Sequence, residues 1–297
     1  MNTVRFVPDG NAFYEFTMDW RVPIVSSLLY AVLVSYFSRR NTLAGPPPVS
    51  SRAAKGKGAG LKQNEPWTLF RSAVVVHNIV LMVFSAYVFW AVTPLLLASF
   101  RYRPLMESFC DVGGWAYRHG VGYWTWIFYL SKYYELLDTA ILLAKGRPSN
   151  FLQTYHHAGA IIGMWMLCMS RAFGAWVFVV LNSFIHTWMY LYYTLTCFGY
   201  QPSWKRLMTY MQLTQFFVGL PTACSYVFIP KCIGEKCHSK DVLGKLVGGS
   251  GYWSQFLALA FNFSYVAYLV VLFLDFARRS YWSSHSAKQS SATKKSN

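Results

Sequence analysis

Residues 122–143 form a stretch long and apolar enough to cross a bilayer, and it carries Lys132, Glu135 and Asp138. A charged side chain at the bilayer centre costs roughly 2.5–3.5 kcal/mol on insertion scales. Three of them in one helix require a protein interior to face. Steps of three residues turn about 300° on a helix, so the three side chains share an arc of roughly 120°. Lys132 is placed to pair with Glu135, and Glu135 adjoins Asp138. Thr139 is placed to bond back to its own helix. A basic turn follows, Lys145-Gly146-Arg147-Pro148, and Gln153-Thr154-Tyr155-His156-His157 opens the next apolar run. This wall lines a polar chamber, or it is a charge-satisfied helix contact that fixes packing; the two readings are compatible.

Several further runs reach the roughly 20 apolar residues that a crossing needs. Only 13% of the 297 residues are charged and 55% are hydrophobic, against roughly 25% charged in a soluble domain. Helices satisfy their own backbone in lipid, so the expected class is an all-α polytopic membrane protein with one membrane domain over residues 20–278. About seven transmembrane helices are predicted, at 20–37, 67–97, 122–143, 151–169, 173–198, 207–229 and 252–276. Pro94 is expected to end the second, and Pro221 to kink the sixth. Residues 99–120 are too polar to span.

The net charge is +16. In a soluble protein this would suggest nucleic acid. Here the Lys and Arg lie in loops and tails, where they read as topology. Residues 39–66, basic and rich in Gly and Pro, read as a flexible cytosolic loop. Residues 1–19 read as a lumenal N-terminus without a cleavable signal peptide. Residues 279–297 read as a cytosolic tail. The basic residues of the 231–245 loop, lumenal in this scheme, run against the bias but are outweighed. A second use of the charge is attraction of an anionic substrate or of membrane lipid headgroups. Lys294 and Lys295 stand fourth and third from the carboxyl end. That position matches the dilysine retrieval signal of endoplasmic reticulum membrane proteins, against a generic solvated basic tail.

Of six cysteines, Cys168, Cys197 and Cys224 fall in helices and read as buried apolar residues. Cys110, Cys232 and Cys237 fall on the oxidising side, so one disulfide among them is expected. The first choice is Cys110 with Cys232, tying the loop after the second helix to the end of the sixth. Cys232 with Cys237 is the local alternative.

Adjacent His156 and His157 point about 100° apart on a helix, so one is expected to react while the other braces a neighbour. Gln153, one turn before, can orient an imidazole but cannot titrate. Asn182, His186 and Tyr190 recur every four residues with Tyr193 beside them, one polar stripe on the fifth helix. Gln212 and Gln215 add a pair on the sixth. Both groups read alternatively as interhelical hydrogen bonding. Di-iron chemistry would need more clustered histidines than the seven of this chain supply, and no metal is expected. An imidazole near neutral pH can instead attack a thioester, and a dry interior would protect the acyl-imidazole. A seven-helix receptor or transporter accounts for the topology but not for a histidine pair beside the charged helix.

Taken in order, these motifs resemble the ELO family of very-long-chain fatty acid elongases. Lys132-Tyr-Tyr-Glu135-Leu-Leu-Asp138-Thr139 is similar to its KxxExxDT box. Asn182-Ser-Phe-Ile-His186-Thr-Trp-Met189-Tyr190-Leu-Tyr192-Tyr193 is similar to NxxxHxxMYxYY. Met208-Thr-Tyr-Met-Gln212-Leu-Thr-Gln215-Phe216 is similar to its last box. The histidine box departs, with Gln153 where the family usually has a first histidine. That form resembles elongases of algae and protists that act on polyunsaturated chains. The resemblance implies a 3-ketoacyl-CoA synthase condensing acyl-CoA with malonyl-CoA, with no metal or redox cofactor. It implies six helices enclosing a substrate tunnel and the first helix outside. His156 would attack the thioester, and His186 and Asn182 would polarise the reactants. His157, Gln153, Lys132, Glu135 and Asp138 would orient and tune them. Lys145, Arg147, Lys205 and Arg206 would meet the CoA phosphates. A ketoacyl reductase, a dehydratase and an enoyl reductase would process the product, and the enzyme is expected in the endoplasmic reticulum membrane, with a homo-oligomer left open.

Overall fold

The computed structural model describes residues 11–45, 68–233 and 251–279. Most of the basic loop at 39–66, Cys237, and the tail with Lys294 and Lys295 lie outside the described residues. Every regular element among those described is helical. A short α1 (Ala12–Met18) precedes α2 (Arg21–Leu43). Then come α3 (Leu69–Tyr102), α4 (Leu105–Phe109) and a wide turn at Tyr117–Val121 that leads into α5 (Gly122–Tyr134) and α6 (Leu136–Ala144). They are followed by α7 (Phe151–Met169), α8 (Ala175–Cys197), α9 (Lys205–Phe228) and, after a 3-10 turn at Pro230–Cys232, α10 (Gly251–Ala277).

Local chemistry explains several starts. Asn11, Thr68 and Asn150 each use a side-chain oxygen to accept a backbone N–H of the first turn, at 2.8, 3.1 and 2.8 Å, satisfying donors that a helix leaves free. α2, α3 and α10 are long and apolar enough to cross a membrane on length and composition alone. α7, α8 and α9 have 19, 23 and 24 residues, enough for roughly 28–36 Å at the rise of a helix.

Six columns close a ring by successive contact: α5 on α7, α7 on α10, α10 on α9, α9 on α8, α8 on α3, and α3 back on α5. α2 lies outside it, against α7 and α6. A close seam joins α7 to α10. A Cβ at Gly159 would overlap the Tyr265 ring, and one at Gly163 would come within 2.5 Å of Asn262 Oδ1. Asn262 Nδ2 donates to the Gly163 carbonyl at 3.1 Å. Small residues one turn apart let membrane helices approach in this way.

Two expectations change. Pro94 does not end its helix; α3 runs through it to Tyr102, as membrane helices do where neighbours re-satisfy the freed backbone group. The third column is not one helix but breaks at Glu135, whose backbone closes α5 and opens α6 with φ −62° and ψ −17°.

The disulfide joins Cys110 and Cys232, with Cα atoms 4.2 Å apart. This is the first-choice pairing. Beside it, the Asp111 carboxylate accepts the N–H groups of Ala116 and Tyr117 at 2.8 and 2.9 Å. Burial pushes its carboxyl up, against those donors and Arg103, which pull it down. At the same end α1 is tied across the ring. Trp126 Nε1 donates to Thr17 Oγ1 at 3.1 Å, Tyr129 Oη to the Thr17 carbonyl at 3.0 Å, and Trp165 Nε1 to the Met18 carbonyl at 2.9 Å.

Candidate active site

The break at Glu135 sets the chamber. Lys132, on the last turn of α5, donates to Glu135 Oε1 at 2.7 Å and to Asn182 Oδ1 at 3.1 Å. Its ammonium also sits 3.8 Å from the centre of the Phe128 ring. The two charged side chains are 4% and 3% exposed, so the pair is a buried one whose desolvation must be offset by further contacts. Ser131 Oγ supplies one more, 3.3 Å from Glu135 Oε1. Glu135 Oε2 is buried with no hydrogen-bond partner among the described residues.

These bonds fix the state of His186. The Asn182 oxygen is occupied by Lys132, so its amide nitrogen faces His186 Nε2 at 3.1 Å. An amide nitrogen only donates, so Nε2 is the bare nitrogen and the proton sits on Nδ1. Nδ1 points toward Glu135 Oε1 at 3.8 Å, beyond direct hydrogen bonding. Only a neutral imidazole can accept that amide N–H, and its proton then lies on the side of the carboxylate.

α7 brings His156 and His157 to the same interior. Their ring centres are 5.2 Å apart at 73°. Both lie within range of the Glu135 and Lys132 charges, and His156 also acts on His186. His157 is buried and stands edge-on to Tyr30, with ring centres 6.1 Å apart. Tyr265, from α10, donates to the His156 backbone carbonyl at 2.8 Å and so pins that turn of α7.

Asp138 belongs to a separate cluster. Its Oδ1 is 3.0 Å from His77 Nε2 on α3, and its Oδ2 accepts from the Tyr190 hydroxyl at 2.7 Å. Tyr190 in turn packs its ring against His186, with centres 5.6 Å apart at 81°. Among the described residues Gln153 makes no bond to a histidine. Its Nε2 donates to Thr139 Oγ1 at 3.0 Å. Thr139 does not bond back to its own helix; its hydroxyl meets Tyr30 Oη at 2.8 Å. The packing of α2 and α7 beside α6 offers partners nearer than the preceding turn.

Gln215 and Asn182 line a small, partly open cavity of about 50 Å³, walled otherwise by apolar residues including Leu181, Phe216 and Leu220. Gln212 reaches Met189 Sδ at 3.8 Å. Tyr193 is 41% exposed and meets only the outer edge of the cluster, through the Tyr190 ring. Lys145, Arg147, Lys205 and Arg206 are exposed. They gather at the end of the bundle where α6 and α8 finish and α7 and α9 begin, opposite the disulfide.

Residue spacing does not point to Tyr30, Tyr265 or the role of His77. His77 carried a signal of its own: an ionisable residue in an apolar run calls for a named partner.

Comparison with known proteins decides the family. The profile described as "ELO: GNS1/SUR4 family" matches residues 15–289. The chain belongs to the ELO family. It is a fatty acid elongase, a 3-ketoacyl-CoA synthase. Fatty acid elongase sre1 of Dictyostelium discoideum is 31% identical over 210 residues, covering 70% of this chain and 76% of its own. Fatty acid elongase 1 of Trypanosoma brucei brucei is 31% identical over 212 residues, 68% of each chain. Very long chain fatty acid elongase 6 of Drosophila melanogaster is 29% identical over 215 residues, covering 71% of this chain and 67% of its own. Membership sets aside the receptor, transporter and di-iron readings. In this elongase two of the motif boxes meet at one buried point through Lys132, Asn182 and His186.

Proposed function

We propose that this elongase condenses a long-chain, polyunsaturated acyl-CoA with malonyl-CoA through an acyl-imidazole on His156. The observation that carries the reading is the nearness of His156, itself half-buried, to the buried His186 and the buried Lys132–Glu135 pair. An imidazole in that setting would be held neutral and largely shielded from water, the state a nucleophile needs.

His156 attacks the acyl thioester carbonyl. The carbon–sulfur bond breaks, and the proton released by the imidazole leaves with CoA as its thiol. Malonyl-CoA then takes the vacated place and loses carbon dioxide. The enolate so formed attacks the acyl-imidazole carbonyl and forms the new carbon–carbon bond. The histidine leaves, takes up a proton and is restored. The second amide N–H of Asn182, with the Nδ1–H of His186 turned from Glu135, would polarise a carbonyl. Lys132 holds Asn182, and Glu135 holds Lys132. His157 and Gln153 set the turn that carries His156. Gln212 and Gln215 line the far wall.

The exposed Lys145, Arg147, Lys205 and Arg206 suit the CoA phosphates. In this reading all seven columns span the endoplasmic reticulum membrane, with the basic end cytosolic and the disulfide end lumenal. The acyl tail threads inside the six-helix ring toward the disulfide. The polyunsaturated preference rests on Gln153 in place of a histidine. Its hydroxyl-bound position beside Thr139 supports a packing role that a histidine need not fill. A reductase, a dehydratase and a second reductase must follow, because a 3-ketoacyl product needs all three to become saturated at the new carbons.

Membranes expressing the chain should incorporate labelled malonyl-CoA into lipid, and His156→Ala should abolish it. Equal product from both would sink the mechanism. Acyl-CoA alone should release about one equivalent of CoA per active site, the burst expected of a covalent intermediate. No CoA before malonyl-CoA is added would exclude the two-step order. A panel of acyl-CoAs read by mass spectrometry tests the unsaturation preference.

A further inference from the structure

We propose that His77, on α3 and outside every motif box, is a positioning residue for the condensation: it holds Asp138 so that Tyr190 fixes the ring against which His186 packs. The proposal rests on the reading that His186 faces the reacting carbonyl.

The geometry runs in one line. His77 Nε2 lies 3.0 Å from Asp138 Oδ1. The Tyr190 hydroxyl donates to the other oxygen at 2.7 Å. The Asp138 side chain is 21% exposed; a carboxylate largely withdrawn from water calls for a donor on each oxygen, and these two elements supply one apiece. The phenol has a proton to give and the carboxylate has none, so the direction of that bond is settled. It locks the Tyr190 ring, which is fully buried. The ring stands edge-on to His77 on one side and to His186 on the other, at 6.4 and 5.6 Å between centres.

His77 itself is buried, at 5% exposed. Its Nδ1 has no hydrogen-bond partner among the described residues. A proton there would be a buried donor without an acceptor, so the ring carries its proton on Nε2, aimed at Asp138. Besides its edge contact with Tyr190, the ring stacks on Tyr134, with ring centres 5.3 Å apart at 28°. Two functions of the side chain can therefore be separated: a flat ring on Tyr134, and a proton on Asp138.

The substitutions follow from that separation. His77→Phe keeps the ring and loses the donor. His77→Gln keeps a donor and loses the ring. If the donor is what matters, His77→Gln should turn over near the wild-type rate. His77→Phe should lose about 10- to 100-fold in kcat, the loss seen when a histidine ligand loses its supporting partner. KM for acyl-CoA should not change, because His77 lies off the CoA end. Tyr190→Phe, which leaves the His77 stack untouched, should show the same loss confined to kcat, and covers the case in which His77→Phe does not fold. The double variant should be no slower than the slower single one, since both cut one path. Full kcat in His77→Phe or in Tyr190→Phe overturns the proposal. So does equal impairment of His77→Phe and His77→Gln, or losses that multiply in the double variant. His156→Ala is assayed alongside. Activity in that variant would remove the acyl-imidazole reading while leaving the His77 comparison to be judged on its own turnover.

Discussion

Lys132 is held from three sides, by a carboxylate, an amide oxygen and a ring face. Removing one partner of such a buried pair is more damaging than removing both, because an uncompensated charge stays behind. Glu135→Gln should lower stability by about 3–5 kcal/mol, read as thermal unfolding in detergent. The double change Lys132→Met with Glu135→Leu should cost less than Glu135→Gln alone. A double variant less stable than the single would contradict the account. The pair was legible from spacing, because three residues along a helix is a local distance. The partners of Asp138 were not. They lie 61 and 52 residues away, and no periodicity within one helix reports them. Gln153 and Thr139 failed for the same reason: the spacing named the face each side chain occupies, and the neighbouring helix chose its partner.

Among the elements, α7 and α10 show what apolar runs leave unsaid. The runs gave the helices and roughly their lengths, and the positions of the motif boxes on them. They did not give the break at Glu135, since a turn of relaxed helix leaves the residue pattern intact. Nor did they give the order of columns around the ring, which depends on which faces fit. Gly159 and Gly163 mark one such fit. On an open helix face, replacing Gly by Ala gains roughly 0.5–1 kcal/mol of backbone entropy. At Gly163 the sign should reverse. The new methyl would meet Asn262 Oδ1 at 2.5 Å, in a helix that also donates to the Gly163 carbonyl. Overpacking of this kind costs about 1–3 kcal/mol. Gly163→Ala should therefore melt earlier than wild type. A stability gain would show that the seam opens freely.

For the whole molecule, the staple between Cys110 and Cys232 encloses 122 residues of chain, with most of the ring inside the loop. By chain entropy a loop of that size stabilises the fold by about 4–5 kcal/mol. Cys110→Ser or Cys232→Ser should lower the melting temperature, and the double variant should fall no further than either. Reductant should bring the wild type down to the variants and leave them unchanged. A variant as stable as wild type would mean that the tie carries no load. The basic side chains and the tie also sit at opposite ends, so one end meets solvent charge while the other is stitched shut. At that stitched end Trp126, Tyr129 and Trp165 hold the α1 turn across α5 and α7. On the reading that the acyl tail lies inside the ring, such a sleeve would admit a chain tail first and release it only by backing out. Each added pair of carbons would then lengthen the retreat, so departure of the finished product, rather than bond making, would become the slow event as the chain grows.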